Sequence, residues 1–263
     1  MKRIFIFLLI TMCIGTAFAQ SYSDAFDEAF SRDDITAQRE ALKLWQREAP
    51  EDVNLFIARY NFFANQAMGQ NPNQVSASLA DSALMAIEDG ITHFPDRLDL
   101  RFGKIYFLGE LRKWDAFVDE IGRAMDHSVQ IGHHWLYPNV PDDLIEDLLT
   151  ESMNDYLVTM WQSIADTARL SAADTLVVRQ IQGLAKRVVQ LFPGDFPNTY
   201  MLALSHLILN ENDKAYRYLV RAEKLSSTSK PLLWSLVKVC RKLGKAAQVE
   251  EYQRRLNSLQ QQD

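Results

Sequence analysis

Shifted by 34 positions, the C-terminal end of the chain falls on itself. The shift pairs Pro197 with Pro231 (231 − 197 = 34), Leu202 with Leu236, Leu209 with Leu243, Tyr218 with Tyr252, Arg221 with Arg255 and Leu225 with Leu259, and Leu191 extends the last series backwards. A period of this length holds two helices and a turn. Neither helix can cover its apolar face within such a unit, so each unit must stack on the next. The period therefore predicts an all-α chain of antiparallel helix hairpins.

Three joints punctuate the chain in the same way: "EAPEDVNLFIARY", "HFPDRLDLRFGKIY" and "LFPGDFPNTYMLA". Proline supplies no backbone N–H and pushes its predecessor out of helical geometry, while the acidic residue that follows suits the positive end of a new helix. Each joint thus closes one unit and opens another. Aligned on Pro50 and Pro95, the first two joints pair Val53/Leu98, Leu55/Leu100, Ala58/Gly103 and Phe62/Phe107. The interval of 45 (95 − 50) leaves room for an insertion, placed in the turn "GQNPNQ" at 69–74.

The period, with small Ala203 at the helix crossing and Ala215, Leu219 and Ala222 at helical spacing on the second helix, resembles the tetratricopeptide repeat family. The resemblance covers most of Val53 to Arg123 and Ile181 to Leu259, in units of about 52–93, 97–128, 196–227 and 231–261. It implies a right-handed α-solenoid with a concave face lined by the first helix of each hairpin. The middle fits least. The stripe Leu144, Ile145, Leu148, Leu149, Met153, Leu157, Met160, Trp161, Ile164 and Ala168 predicts a long helix, paired with one opened by the capping-box pattern Ser171 to Asp174. This makes an oversized central hairpin over about 141–192. A compact helical bundle without a groove is the alternative.

The opening MKRIFIFLLITMCIGTAFAQ has Lys2 and Arg3 before a short apolar run and Ala17-Phe18-Ala19 at the end, the pattern of a secretory signal peptide over residues 1–19. Lipidation at Cys13 is disfavoured because Met12 is too large for that signal. Residues 20–263 then read as a single exported domain, in the periplasm or cell envelope if the source is bacterial, with no transmembrane segment once the leader is removed. Removal of Lys2 and Arg3 leaves 26 basic residues (28 − 2) against 34 acidic ones, and such an acidic surface speaks against nucleic acid as a partner. One cysteine, Cys240, remains on the inward stripe, where a buried, unreactive thiol is expected.

In the tetratricopeptide family the groove face of the first helices commonly holds an extended peptide or its carboxylate end. The resemblance carries this to the residue after each crossing position, which is Arg59, Lys104, Leu204 and Lys238. Arg101 and Arg241 would extend a basic stripe for carboxylate capture, and Tyr200 and Trp234, with Leu55 and Leu100, would line it one turn earlier. The asparagines of the family's carboxylate clamp are absent from these places. The partner implied is another protein or peptide with an acidic or C-terminal carboxylate segment, and no cofactor is implied.

The densest polar cluster is "MDHSVQIGHHWLYPNVPDD", with Asp126, His127, His133, His134, Asp142 and Asp143. Histidine and carboxylate suit zinc, so a metal-dependent hydrolase built on His127, His133 and His134 is one alternative function, but no recognised metal spacing is present. A loop whose histidines close a helix end explains the cluster equally, and His93 and His206 read as structural. The five tryptophans recur with other apolar residues and predict core. The readings carried forward are a non-enzymatic exported adaptor, the hydrolase, and a purely structural envelope spacer.

Overall fold

In the computed structural model, described over residues 17–69, 75–164, 169–226 and 229–260, the helices are α1 (Ala17–Ser31), α2 (Ile35–Glu48), α3 (Val53–Met68), α4 (Ala77–His93), α5 (Leu98–Glu110) and α6 (Trp114–Gln130). After a 3₁₀ turn (Asp142–Leu144) come α7 (Ile145–Gln162), α8 (Ala172–Leu191), α9 (Phe196–Ile208), α10 (Asn212–Leu225), α11 (Lys230–Lys242) and α12 (Ala246–Gln260). The chain is all-α. Among the described residues extended pairing is confined to one parallel bridge between Arg97 and Leu136. No described helix is long and apolar enough to cross a membrane. Most of the leader, with Cys13, and the insertion at 70–74 lie outside the described residues.

Two compact units divide the chain, Met1–Ile145 and Glu146–Asp263. In the first, α1 and α2, α3 and α4, and α5 and α6 form successive hairpins, and each hairpin packs on the next. The α1–α2 hairpin adds a unit that the sequence repeat did not show, built on Phe26, Leu42 and the fully buried Trp45. In the second, α8 through α12 pack in series, and the first helices α9 and α11 also meet directly. That first-helix contact is what stacking of hairpins requires.

Side-chain chemistry sets the helix ends. Asp34, Asp52, Asp195 and Ser229 cap α2, α3, α9 and α11 by accepting from backbone N–H groups of the first turn, and Ser171 with Asp174 forms the expected capping box on α8. Four hairpin turns place a residue at positive φ two positions before the second helix: Asp33 (57°), Arg112 (53°), Asn210 (59°) and Gly244 (69°). One of the four is glycine; for the others the left-handed conformation costs about 1 kcal/mol or more, offset by the turn's hydrogen bonds. Close approach of α3 and α4 depends on Gly90, where an added Cβ would stand 3.1 Å from Phe56 Cβ.

The central helices α7 and α8 are the longest of the described elements, at 18 and 20 residues. Ile145, Leu149, Met153, Leu157, Met160 and Ile164 are buried as the stripe predicts. Among the described residues α8 packs closely along α9, and the connection of the expected α7–α8 hairpin, residues 165–168, lies outside the described residues.

Candidate functional site

The first helices α5, α9 and α11 are each 13 residues long and begin 98 (196 − 98) and 34 (230 − 196) residues apart. Their second helices begin 16 residues later in every case (114 − 98, 212 − 196, 246 − 230). Buried and partly exposed residues alternate in the same rhythm along all three. The chain is an all-α repeat of antiparallel helix hairpins, and its spacing resembles that of the tetratricopeptide repeat.

No family model and no curated protein matches the sequence. Solved structures of low identity do. One is PilW, a widely conserved type IV pilus biogenesis factor, at 13% identity, covering 93% of this chain and 94% of that one with a TM-score of 0.43. MamA matches at 10%, over 80% and 92%, with 0.44, and Pseudomonas aeruginosa pilF at 10%, over 92% and 91%, with 0.42. Likenesses this loose add nothing about residues or partners, and the repeat class rests on the chain's own period.

Helix position corrects the sequence alignment of the basic stripe. Taking Gly103, Ala203 and Val237 as the crossing residues puts Lys104 with Leu204 and Lys238, but counted from the helix starts at Leu98, Phe196 and Lys230 the register differs from that alignment by two residues. Lys104 stands at the place of Leu202 and Leu236, both fully buried. The outward positions of the three helices are Phe102, Tyr200 and Trp234, and one turn later Tyr106, Leu204 and Lys238.

Lys104 and Arg101, each 8% exposed, are therefore interior charges. Lys104 Nζ donates to Glu120 Oε2 at 2.6 Å and also to Glu88, while Arg101 donates to Glu120 Oε1 at 3.1 Å. Glu120 is 1% exposed and sits on α6. Two cations face two carboxylates, which is how buried charge survives desolvation. Neither cation is placed to meet a partner. Arg59 lies on the surface beside Asp89, at 3.6 Å. Leu55 and Leu100, expected as groove lining, are fully buried core.

The histidine cluster is dispersed into a strap that follows α6. His127 Nε2 lies 2.7 Å from Asp96 Oδ1, His133 Nδ1 lies 2.8 Å from Ser128 Oγ, and Trp135 donates to the same hydroxyl at 2.9 Å. His134 is exposed. Among the described residues no three His, Cys, Asp or Glu side chains gather as a metal-binding group. The strap is anchored instead by packing. Trp135 is buried under the Arg101 guanidinium and against the His127 ring, the Leu98 N–H donates to Leu136 O, and the Leu136 N–H donates to Asp96 O. Tyr137 then packs on Phe102 with ring centres 6.1 Å apart.

On α11 the same outward face is open. Trp234 is 54% exposed, against the expectation of core for the tryptophans. With Ser235, Val237, Lys238, Arg241 and Lys242 it lines a shallow concavity of about 500 Å³. Lys242 donates to Asn210 Oδ1 at 2.8 Å, whereas Lys238 and Arg241 meet no carboxylate among the described residues. Tyr200 of α9 borders this face. Its hydroxyl reaches Pro231 O and Ser235 Oγ, both at 3.0 Å, and burial pushes its pKa up.

The remaining candidates are structural. His93 Nδ1 donates to Asp89 O in the last turn of α4. Cys240 is fully buried, which pushes its thiol pKa up. His206 stacks on Tyr218 and lies 2.8 Å from Glu211 Oε2. Burial lowers the His206 pKa, while Arg179 first, with His206 and Lys214, holds Glu211 down to about 2. This cluster joins α8, α9 and α10 around the turn before α10. What sequence reasoning missed was Phe102, which takes the place it gave to Leu100 and completes a series with Tyr200 and Trp234. Its signal was an aromatic at the fifth residue of each 13-residue helix, legible only once the helix starts were known.

Proposed function

We propose that this protein is a non-enzymatic adaptor that holds a segment of a partner protein on the exposed face of α11, with Trp234, Lys238 and Arg241 as principal contacts and Tyr200 at the border. The observation that carries it is Trp234: a tryptophan left more than half exposed beside two cations that meet no carboxylate among the described residues is the composition of an interface centre. Arg59, Lys104 and Arg101 drop from the contact set, the last two because Glu120 already neutralises them. Export belongs to the same proposal and rests on the leader-like residues 1–19.

The test is capture from crosslinked cell-envelope extract, with the protein beside its Trp234→Ala/Lys238→Glu/Arg241→Glu variant. A partner retained by the first and lost by the second is the expected result. Equal capture by both moves binding off α11 and refutes the reading. The N-terminal residue of the protein recovered from its native host, Gln20 if the leader is cut after Ala19, tests export.

A further inference from the structure

Charge is distributed unevenly along the chain. Residues 20–171 carry 12 basic and 26 acidic side chains, a net charge of −14 (12 − 26), whereas 172–260 carry 14 and 7, a net charge of +7 (14 − 7). Within the second compact unit the two signs are drawn out into rows. On α7, Asp147, Glu151 and Asp155 are exposed and recur at steps of four residues, a spacing that keeps them on one face. On α10, Lys214, Arg217, Arg221 and Lys224 recur at steps of three, four and three, again on one face. The repeat does not demand that second row. The corresponding residues of α6 are Ala116, Asp119, Arg123 and Asp126, and those of α12 are Gln248, Glu251, Arg255 and Ser258.

Neither row is answered within the chain. The carboxylates of Asp147, Glu151 and Asp155 meet no cation among the described residues, and Arg217 and Lys224 meet no carboxylate there. Lys214 pairs with Glu211 at 3.2 Å and Arg221 Nη2 donates to Pro193 O at 3.0 Å, contacts that leave each cation further N–H donors. The rows also agree in length. Asp147 to Asp155 is eight residues of helix and Lys214 to Lys224 ten, about 12 and 15 Å along the axis. We propose that the α10 row receives the α7 row of a second copy of this chain, so that the protein associates with itself through ion pairs from Asp147, Glu151 and Asp155 to the α10 cations. A second copy supplies the opposite charge over a matching length, and the opposite net charges of 20–171 and 172–260 draw unlike regions of two copies together. Exposed ion pairs are individually weak and are screened by salt, so the association is transient and salt-dependent. It leaves the α11 face out and stands apart from the adaptor reading.

The test is sedimentation velocity of the full chain beside two charge-reversed variants, Asp147→Lys/Asp155→Lys and Arg217→Glu/Lys224→Glu. At about 10 mM ionic strength, where the screening length is about 30 Å, the unaltered chain at about 0.3 mM should sediment as a dimer or larger; in about 1 M salt, where that length is about 3 Å, it should run as a monomer. Each variant alone should associate at least tenfold more weakly, because like charges then meet at two places in the pairing, and the two variants mixed should form a complex that neither forms by itself. Rescue on mixing is a result that misfolding cannot imitate, and helical circular dichroism with melting curves checks each variant besides. Lys43→Glu/Arg47→Glu makes the same change of net charge as Arg217→Glu/Lys224→Glu but on α2, and should associate like the unaltered chain. A monomer up to about 1 mM at low salt, association unmoved by either reversal, an equal loss in the α2 variant, or no complex on mixing would each overturn the proposal. So would a chain that stays monomeric while Arg217 and Lys224 hold it to vesicles of equal parts phosphatidylglycerol and phosphatidylcholine, which would give the row to a lipid surface. Capture through Trp234 is a separate measurement, so failure here leaves the adaptor reading standing.

Discussion

Corresponding layers of the two units are built from opposite chemistry. Where α5 and α6 bury Lys104 against Glu120, α9 and α10 place Leu202 and Tyr218, and α11 and α12 place Leu236 and Tyr252. Both members of the pair change together. A buried ion pair and a well-packed apolar pair of similar volume are near equals in stability, whereas half of either pair is costly. The outward layer differs in the same manner: Phe102 is covered by Tyr137 and Trp234 is bare. A basic residue on a first helix is thus a contact or a core element according to what the second helix puts opposite it, and spacing along one helix cannot tell the two apart.

The comparison breaks most visibly at Glu120. Glu120→Ala leaves Arg101 and Lys104 buried without their shared carboxylate and should cost about 3–5 kcal/mol in urea unfolding of the first unit. Trp135→Ala removes the strap's anchor and should cost about 3 kcal/mol, with early proteolysis between 131 and 141 as a second sign. The triple variant Arg101→Leu/Lys104→Leu/Glu120→Tyr gives the first unit the layer of α11 and α12. It should stay within about 1 kcal/mol of the parent; a loss as large as that of Glu120→Ala would show that the two layers are not interchangeable.

The second unit has a charge cluster of its own around Glu211, and pH reads it. Glu211 is held at about 2 in the folded chain against an ordinary 4.5, so its stabilisation is complete above 4.5 and is lost as pH falls towards 2. His206, whose pKa burial lowers from 6.5, acts with the same sign, because the unfolded chain takes up the proton first as pH drops through 6.5. Thermal melts should therefore fall on acidification, and Glu211→Gln should flatten the part between 4.5 and 2. The smallest expected effect on stability is at the open face. Trp234→Ala should shift unfolding by no more than about 0.5 kcal/mol while abolishing partner capture, which separates a contact from a core residue.

The sequence by itself determined the class. The 34-residue period, the proline joints, the Ser171–Asp174 cap and the apolar stripe of α7 are local or nearest-neighbour features, and helix formation, capping and face burial respond to just such patterns. It also left Tyr200, Trp234, Lys238 and Arg241 among the candidate contacts, which the structure places on one face. Only the tertiary structure decided the fate of Lys104 and Arg101. Their partner Glu120 lies across a hairpin on α6, and the two-residue register shift that turns Lys104 inward is invisible until the helix starts are fixed. It alone decided the role of the histidine cluster as well, because Trp135 folds that segment back against Arg101 and the α5 N-terminus instead of leaving its side chains to converge. Periodicity specifies which residues can share a face, but burial of a charge depends on a counter-charge brought from another helix, and that is a property of packing.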